Sequence, residues 1–286
     1  MTFAAVEDVE RALVGVGYLP DRGLATAVFL AATLEQPLLL EGEAGVGKTE
    51  VARALAEAQG ARLIRLQCHE GIDLHHAVYD WDYQRQLLAI RAAEAGAEAR
   101  ELFGREFLLR RPLLEALESD PAQPVVLLID EVDRADDEFE AFLLEFLADF
   151  AITIPELGTI TARRRPLVVL TSNRTRELHD ALKRRCLYHW IAFPDAARER
   201  AIIDAKVPGL AEDAAQALVA AVTGVRALRL IKPPGIAETI EWGQAAKVLS
   251  DEGSAWPVAL RRSLGLLLKE QEDTQVALNH AEALGF

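Results

Sequence analysis

The segment Gly42-Glu43-Ala44-Gly45-Val46-Gly47-Lys48-Thr49 satisfies the spacing GxxxxGK[ST] at every specified position. Its glycines allow a tight turn in which backbone N–H groups converge on phosphate oxygens, and a helix N-terminus behind the turn favours the same negative charge. Lys48 is placed to reach the β and γ phosphates, and the Thr49 hydroxyl to ligate Mg²⁺. The chemistry predicted for Gly42–Thr49 is therefore binding of a magnesium-bound nucleoside triphosphate. About 80 residues later, the apolar run Val125–Ile129 ends in the carboxylates Asp130 and Glu131. Asp130 is expected to hold Mg²⁺ through water, and Glu131 to polarise an attacking water. Asn173, after the run Leu167–Ser172, is expected to orient that water or meet the γ-phosphate. Arg184 and Arg185 precede the last apolar run, where an arginine can project into the site of a neighbouring subunit. Arg163-Arg164-Arg165 reads instead as a solvated charge run.

These residues need short strands to present them. Apolar runs predict strands at Pro37–Glu41, Arg62–Gln67, Val125–Asp130, Leu167–Thr171 and Tyr188–Phe193, alternating with helical stretches such as Thr49–Gln59. That alternation predicts an α/β fold with a mostly parallel sheet. Residues 70 to 120 are too many for a simple crossover and read as a helix carrying an insertion, at about 70–110, with helical sequence over Gln84–Arg100. The aromatic run Tyr79–Tyr83 inside it suits either a partner surface or packing within the insertion. Ile152–Ile160, around Pro155-Glu156-Leu157-Gly158, predicts a hairpin. After Pro194 helical periodicity dominates, over Ala196–Ala205, Ala211–Val222, Gly235–Leu249 and Pro257–Leu268. The predicted domains are a nucleotide-binding core, 1–194, and an all-helical lid, 195–286, with the nucleotide between them.

The formal net charge is -14, from 31 Lys and Arg against 45 Asp and Glu. Such a surface repels phosphate backbones and argues against a nucleic-acid partner. The two cysteines, Cys68 and Cys186, form no CxxC pair, and His75-His76 near Cys68 and His69 matches no zinc spacing. The N-terminal residues lack the pattern of a signal peptide, and no run of about 18 apolar residues occurs, so the expected place is the cytoplasm without a membrane span.

Together the glycine-rich loop, the Asp130-Glu131 strand end, Asn173 and the late arginines resemble the AAA+ ATPases. The insertion and the hairpin ahead of the Asn173 strand resemble the MoxR branch. There an arginine precedes an aromatic, hydrophobic run, as in Arg185-Cys186-Leu187-Tyr188-His189-Trp190, with Cys186 in a place that is usually aromatic. This favours Arg185 over Arg184 as the trans-acting finger. Leu39–Ala52, Gln67–Gly71, Tyr79–Arg91 and Lys232–Thr239 look close to the CoxD-like subgroup. The resemblance implies ATP and Mg²⁺ as cofactors, a homo-oligomeric ring, typically a hexamer, and a von Willebrand factor A partner protein. It implies work on a client molybdenum hydroxylase, namely maturation of the molybdenum–copper site of a carbon monoxide dehydrogenase. It also places Gly17 and Tyr18 at the adenine. One departure stands out: the late-helix position where this family usually offers an arginine reads Pro234-Gly235-Ile236-Ala237, leaving Lys232 or Arg229 as substitutes. Rival readings are a nucleotide-gated binding module with negligible turnover, a DNA-acting motor, a small-molecule kinase, and service to another client.

Overall fold

The computed structural model describes residues 3–94 and 101–286. The chain divides into two compact units, one made of residues 1–16, 20–41 and 49–190, the other of 17–19, 42–48 and 191–286.

The main sheet contains β1 (Leu38–Gly42), β2 (Arg62–Gln67), β5 (Val125–Asp130), β8 (Leu167–Ser172) and β9 (Leu187–Ile191), in the order β2-β5-β8-β1-β9. The β2–β5, β5–β8 and β8–β1 pairings are parallel. Every residue of β1, β5 and β8 is buried, which is why these strands read as continuous apolar runs and not as alternations. Their register aligns the chemistry: Gln67 lies level with Asp130, and Glu41 with Ser172. The carboxyl ends of these strands therefore open on one edge, the usual ligand edge of an open α/β sheet.

Over residues 70–110 short helices alternate with two short strands. β3 (Tyr79–Trp81) pairs antiparallel with β4 (Leu108–Arg110), and a helix, Tyr83–Glu94, lies between them in sequence. The rest of the helical stretch expected to reach Arg100 falls outside the described residues. Trp81 is buried, edge-on to Phe103 and Tyr79, so the centre of the aromatic run is core of the insertion. The hairpin is present as β6 (Ala151–Ile154) and β7 (Gly158–Thr161), joined through Gly158 at φ +77° and bridged by Thr153 and Thr159 at 3.0 Å.

In the second unit the helices Ala196–Lys206, Glu212–Arg226 and Ile236–Asp251 pack around Trp242. Its indole is fully buried, donates to Leu260 O at 2.9 Å and meets Phe286 edge-on. The predicted helix Pro257–Leu268 is two helices, Trp256–Arg262 and Leu264–Leu267, broken where the Ser263 hydroxyl donates back to Ala259 O at 2.8 Å. The predicted strand Tyr188–Phe193 ends earlier, at Ile191, and residues 191–193 belong to the second unit. So does the loop 42–48, assigned from sequence to the core; backbone packing of Gly45 on Gly235 holds it there.

Candidate nucleotide site

At the carboxyl end of β5, Asp130 is only 2% exposed, and both of its carboxylate oxygens are hydrogen-bonded. Its Oδ1 accepts from the Thr49 hydroxyl at 2.9 Å and the Thr171 hydroxyl at 2.5 Å. Its Oδ2 accepts twice from Arg65, from Nε at 3.0 Å and from a terminal guanidinium nitrogen at 2.6 Å. Thr49 and Asp130, separated by a long stretch of sequence, are thus in direct contact. A hydroxyl beside a buried carboxylate is a hard-oxygen donor set, the kind Mg²⁺ takes alongside phosphate oxygens.

Glu131 adopts a left-handed backbone conformation, φ +55°, which costs a non-glycine residue about 1–3 kcal/mol and needs over-determination by its surroundings. Thr171 supplies it, accepting the Glu131 N–H at 2.9 Å while donating to Asp130. The Glu131 carboxylate is held from three sides: by the Gln67 amide at 3.0 Å, the Asn173 amide at 3.4 Å and Arg134 at 3.3 Å. Asn173 and Glu131, paired only as an expectation above, are therefore neighbours. Buried Asp133 fixes the Asn173 segment by accepting from the backbone N–H groups of Asn173 and Thr175, at 3.2 and 2.8 Å, and from the Thr175 hydroxyl at 2.8 Å. Behind these acids the Cys68 thiol is pushed up to about 12, first by burial and then by the charges of Asp130, Asp133 and Glu131. Burial alone lifts Cys186 to about 12.

The glycine-rich loop lies in the other unit and leads into the helix Lys48–Ala58. Gly45 and Gly47 have φ of +78° and +93°, a region side chains rarely adopt, and nothing lies within 4 Å of where a Gly47 Cβ would be. Gly42 is close-packed for another reason: a Cβ there would come within 2.3 Å of Ile191 O. The Lys48 ammonium folds over the loop, donating to Gly42 O at 2.8 Å and Glu43 O at 2.7 Å. Gly17 and Tyr18 fall in this same unit, with Gly17 at φ +74° and Leu19 O tied to Arg198 at 2.9 Å.

The family described as AAA domain (dynein-related subfamily) matches residues 37–186, just over half of the chain. The chain belongs to this AAA+ family. No curated protein matches it. The fold expected from sequence, an AAA+ parallel-sheet core followed by a C-terminal helical region, is the fold of this AAA+ protein. Membership implies nucleotide binding. Among the described residues, no helix is long and apolar enough to cross a membrane.

Arg184 and Arg185 are exposed on the last turn of the helix Asp180–Arg185, and neither takes part in the hydrogen bonds around Asp130 described above. Lys232 and Arg229 are also exposed. The arginine that reaches the Pro234-Gly235 turn is Arg226, which donates to Pro234 O at 2.8 Å and pairs bidentately with buried Glu199 at 2.8 and 2.9 Å. Sequence reasoning passed over Arg65, Gln67, Thr171 and Asp133. The local signal was weak: Arg65 and Gln67 stand two apart, on one face of a strand that already carries Arg62.

Arg65 carries a prediction of its own. Removing it leaves the buried Asp130 charge with hydroxyl donors only. Because the Arg65 side chain is 44% exposed, water can enter and soften the loss. Arg65→Ala is expected to lower unfolding stability by about 1–3 kcal/mol, and Arg65→Lys by less, since one ammonium replaces two N–H donors. A shift in the urea midpoint at constant slope measures this; an unchanged midpoint would show that Arg65 is dispensable to Asp130.

Proposed function

We propose that this AAA+ protein binds Mg-ATP on Gly42–Thr49 and hydrolyses it. The observation that carries the reading is the Thr49–Asp130 hydrogen bond of 2.9 Å, beside a Glu131 held by the Asn173 amide. In this reading Lys48 neutralises phosphate charge, and Thr49 with Asp130 forms the oxygen donor set for Mg²⁺, which supplies charge neutralisation on the phosphates. Glu131 takes the proton of the attacking water, Asn173 orients that water, and Gly17 and Tyr18 line the adenine. Arg185, with Arg184 as the alternative, completes the site of the next subunit in a homo-oligomeric ring.

Resemblance supports the finer reading. The stretches shared with the CoxD-like subgroup point to a MoxR-type chaperone, acting in the cytoplasm with a von Willebrand factor A partner. Its client would be a molybdenum hydroxylase of the carbon monoxide dehydrogenase kind. ATP-dependent gain of activity by such a client, mixed with the purified chain and partner, would support that role; no gain under turnover would remove it.

The core of the proposal is tested by titrating the full chain with Mg-ATP in a calorimeter. Saturable binding is expected, weakened about 10- to 100-fold by Lys48→Ala, as loss of a charge-assisted contact requires. A folded wild type that takes up no adenine nucleotide with magnesium would overturn it.

A further inference from the structure

Two glycines far apart in sequence meet backbone to backbone inside the second unit. A Cβ on Gly235 would lie 2.6 Å from Gly45 Cα and 2.7 Å from Gly45 O; a Cβ on Gly45 would lie 2.8 Å from Gly235 Cα. Real Cβ atoms do not approach so closely, so both positions must be glycine for the contact to exist. Ile236, the first residue of the helix Ile236–Asp251, donates its N–H to Gly45 O at 2.9 Å. The turn that presents this amide is itself fixed: the Glu238 carboxylate accepts the Gly235 N–H at 3.1 Å, and Pro234 O is held by Arg226, anchored on buried Glu199.

A trans peptide points its C=O and its N–H in opposite directions. Gly45 O and the Val46 N–H belong to one such peptide. Pinning the oxygen to Ile236 therefore aims the Val46 N–H away from the helix, the direction in which the loop must offer amides if it cradles an anion. We infer that Gly235 and the Ile236 amide are positioning groups for the phosphate loop, setting its amides through backbone contact at the place where a side chain from this helix was expected. This rests on the nucleotide-binding reading above. Coupling between two such elements is reciprocal: what holds the loop in its binding shape is itself held by the bound nucleotide.

Two substitutions in the full chain test it. Gly235→Ala keeps an allowed backbone conformation, with φ -83°, but drives a methyl into Gly45. Ile236→Pro removes the one donor while placing proline at the first helical position, where it is well tolerated. Ala237→Gly, exposed one residue further on, weakens the same helix start without touching the loop and serves as control. Calorimetry with Mg-ADP and Mg-ATP is expected to show affinity lowered about 10-fold or more by the first two, within the 5- to 150-fold range of such couplings, and unchanged by the control. In the wild type, saturating Mg-ADP should slow hydrogen exchange at the Ile236 amide. Affinity equal to wild type in both variants, or exchange at Ile236 indifferent to nucleotide, would overturn the inference while leaving nucleotide binding intact. Should Gly235→Ala fail to fold, Ile236→Pro and the wild-type exchange decide. A wild type that binds no nucleotide would instead sink the parent reading.

Discussion

Glu131→Gln is expected to reduce ATP turnover about 10³-fold while leaving Mg-ATP affinity within about threefold of wild type. A positioned general base contributes about 10²- to 10⁴-fold, and an amide cannot take the proton. The substitution is nearly isosteric, and the surroundings say what else it disturbs. Glu131 accepts from Gln67 and Arg134 on one oxygen and from Asn173 on the other. An amide in its place keeps the first two donors when its NH₂ faces Asn173, so the Asn173 hydrogen bond is lost and the contact with Arg134 is no longer an ion pair. None of these contacts is made by the residues proposed to hold phosphate or magnesium, so binding is spared. Phosphate release under saturating ATP, set beside calorimetric titration of the same preparation, reads both quantities. Turnover within a few-fold of wild type would remove Glu131 from the chemistry. The variant also separates hydrolysis-driven work from nucleotide gating: if client activation survives with turnover lost, ATP acts by occupancy alone.

The parts of the site legible in sequence are those whose chemistry is local. Gly42–Thr49 is a contiguous loop, and Asp130-Glu131 ends a strand whose unbroken apolar run announces burial on both faces. The contacts that set Asp130 and Glu131 are not local. Arg65 and Gln67 arrive from β2, and Thr171 from β8, only because β5 lies between those two strands. Strand order leaves no mark on the spacing of residues within a strand, and a strand buried on both faces has no alternation to reveal which way Thr171 points. β3 and β4 are too short for a period to show, and Tyr79-Asp80-Trp81 reads equally as surface or core until its antiparallel partner is known. Gly235 was legible as a helix start, not as a contact. A backbone-to-backbone approach is specified by the absence of a side chain, and a glycine before a helix has commoner uses.

Arg185→Ala is expected to lower turnover by about 10³-fold or more with ATP binding nearly intact, the effect of withdrawing a guanidinium from charge that develops only in the transition state. Lys183, Arg184 and Arg185 crowd the last turn of the helix Asp180–Arg185, where cations are favoured by the helix dipole. That electrostatic benefit is shared by all three, so it does not explain a specific role. Both terminal arginines are exposed, and no ion pair holds either guanidinium among the described residues. A surface arginine serving only solubility or the helix end would be worth a few tenths of a kcal/mol and nothing in turnover. A finger acting on the neighbouring subunit has two further consequences. Specific activity should rise with protein concentration as subunits associate. Mixing Arg185→Ala with Glu131→Gln should also restore turnover at interfaces pairing an intact Glu131 with an intact Arg185 from the adjacent subunit. Arg184→Ala, one residue away on the same turn, should cost less than about 10-fold; the reverse ranking would move the role to Arg184. Turnover unchanged in Arg185→Ala, or nucleotide affinity collapsing while assembly persists, would show that this arginine does not complete a neighbour's site.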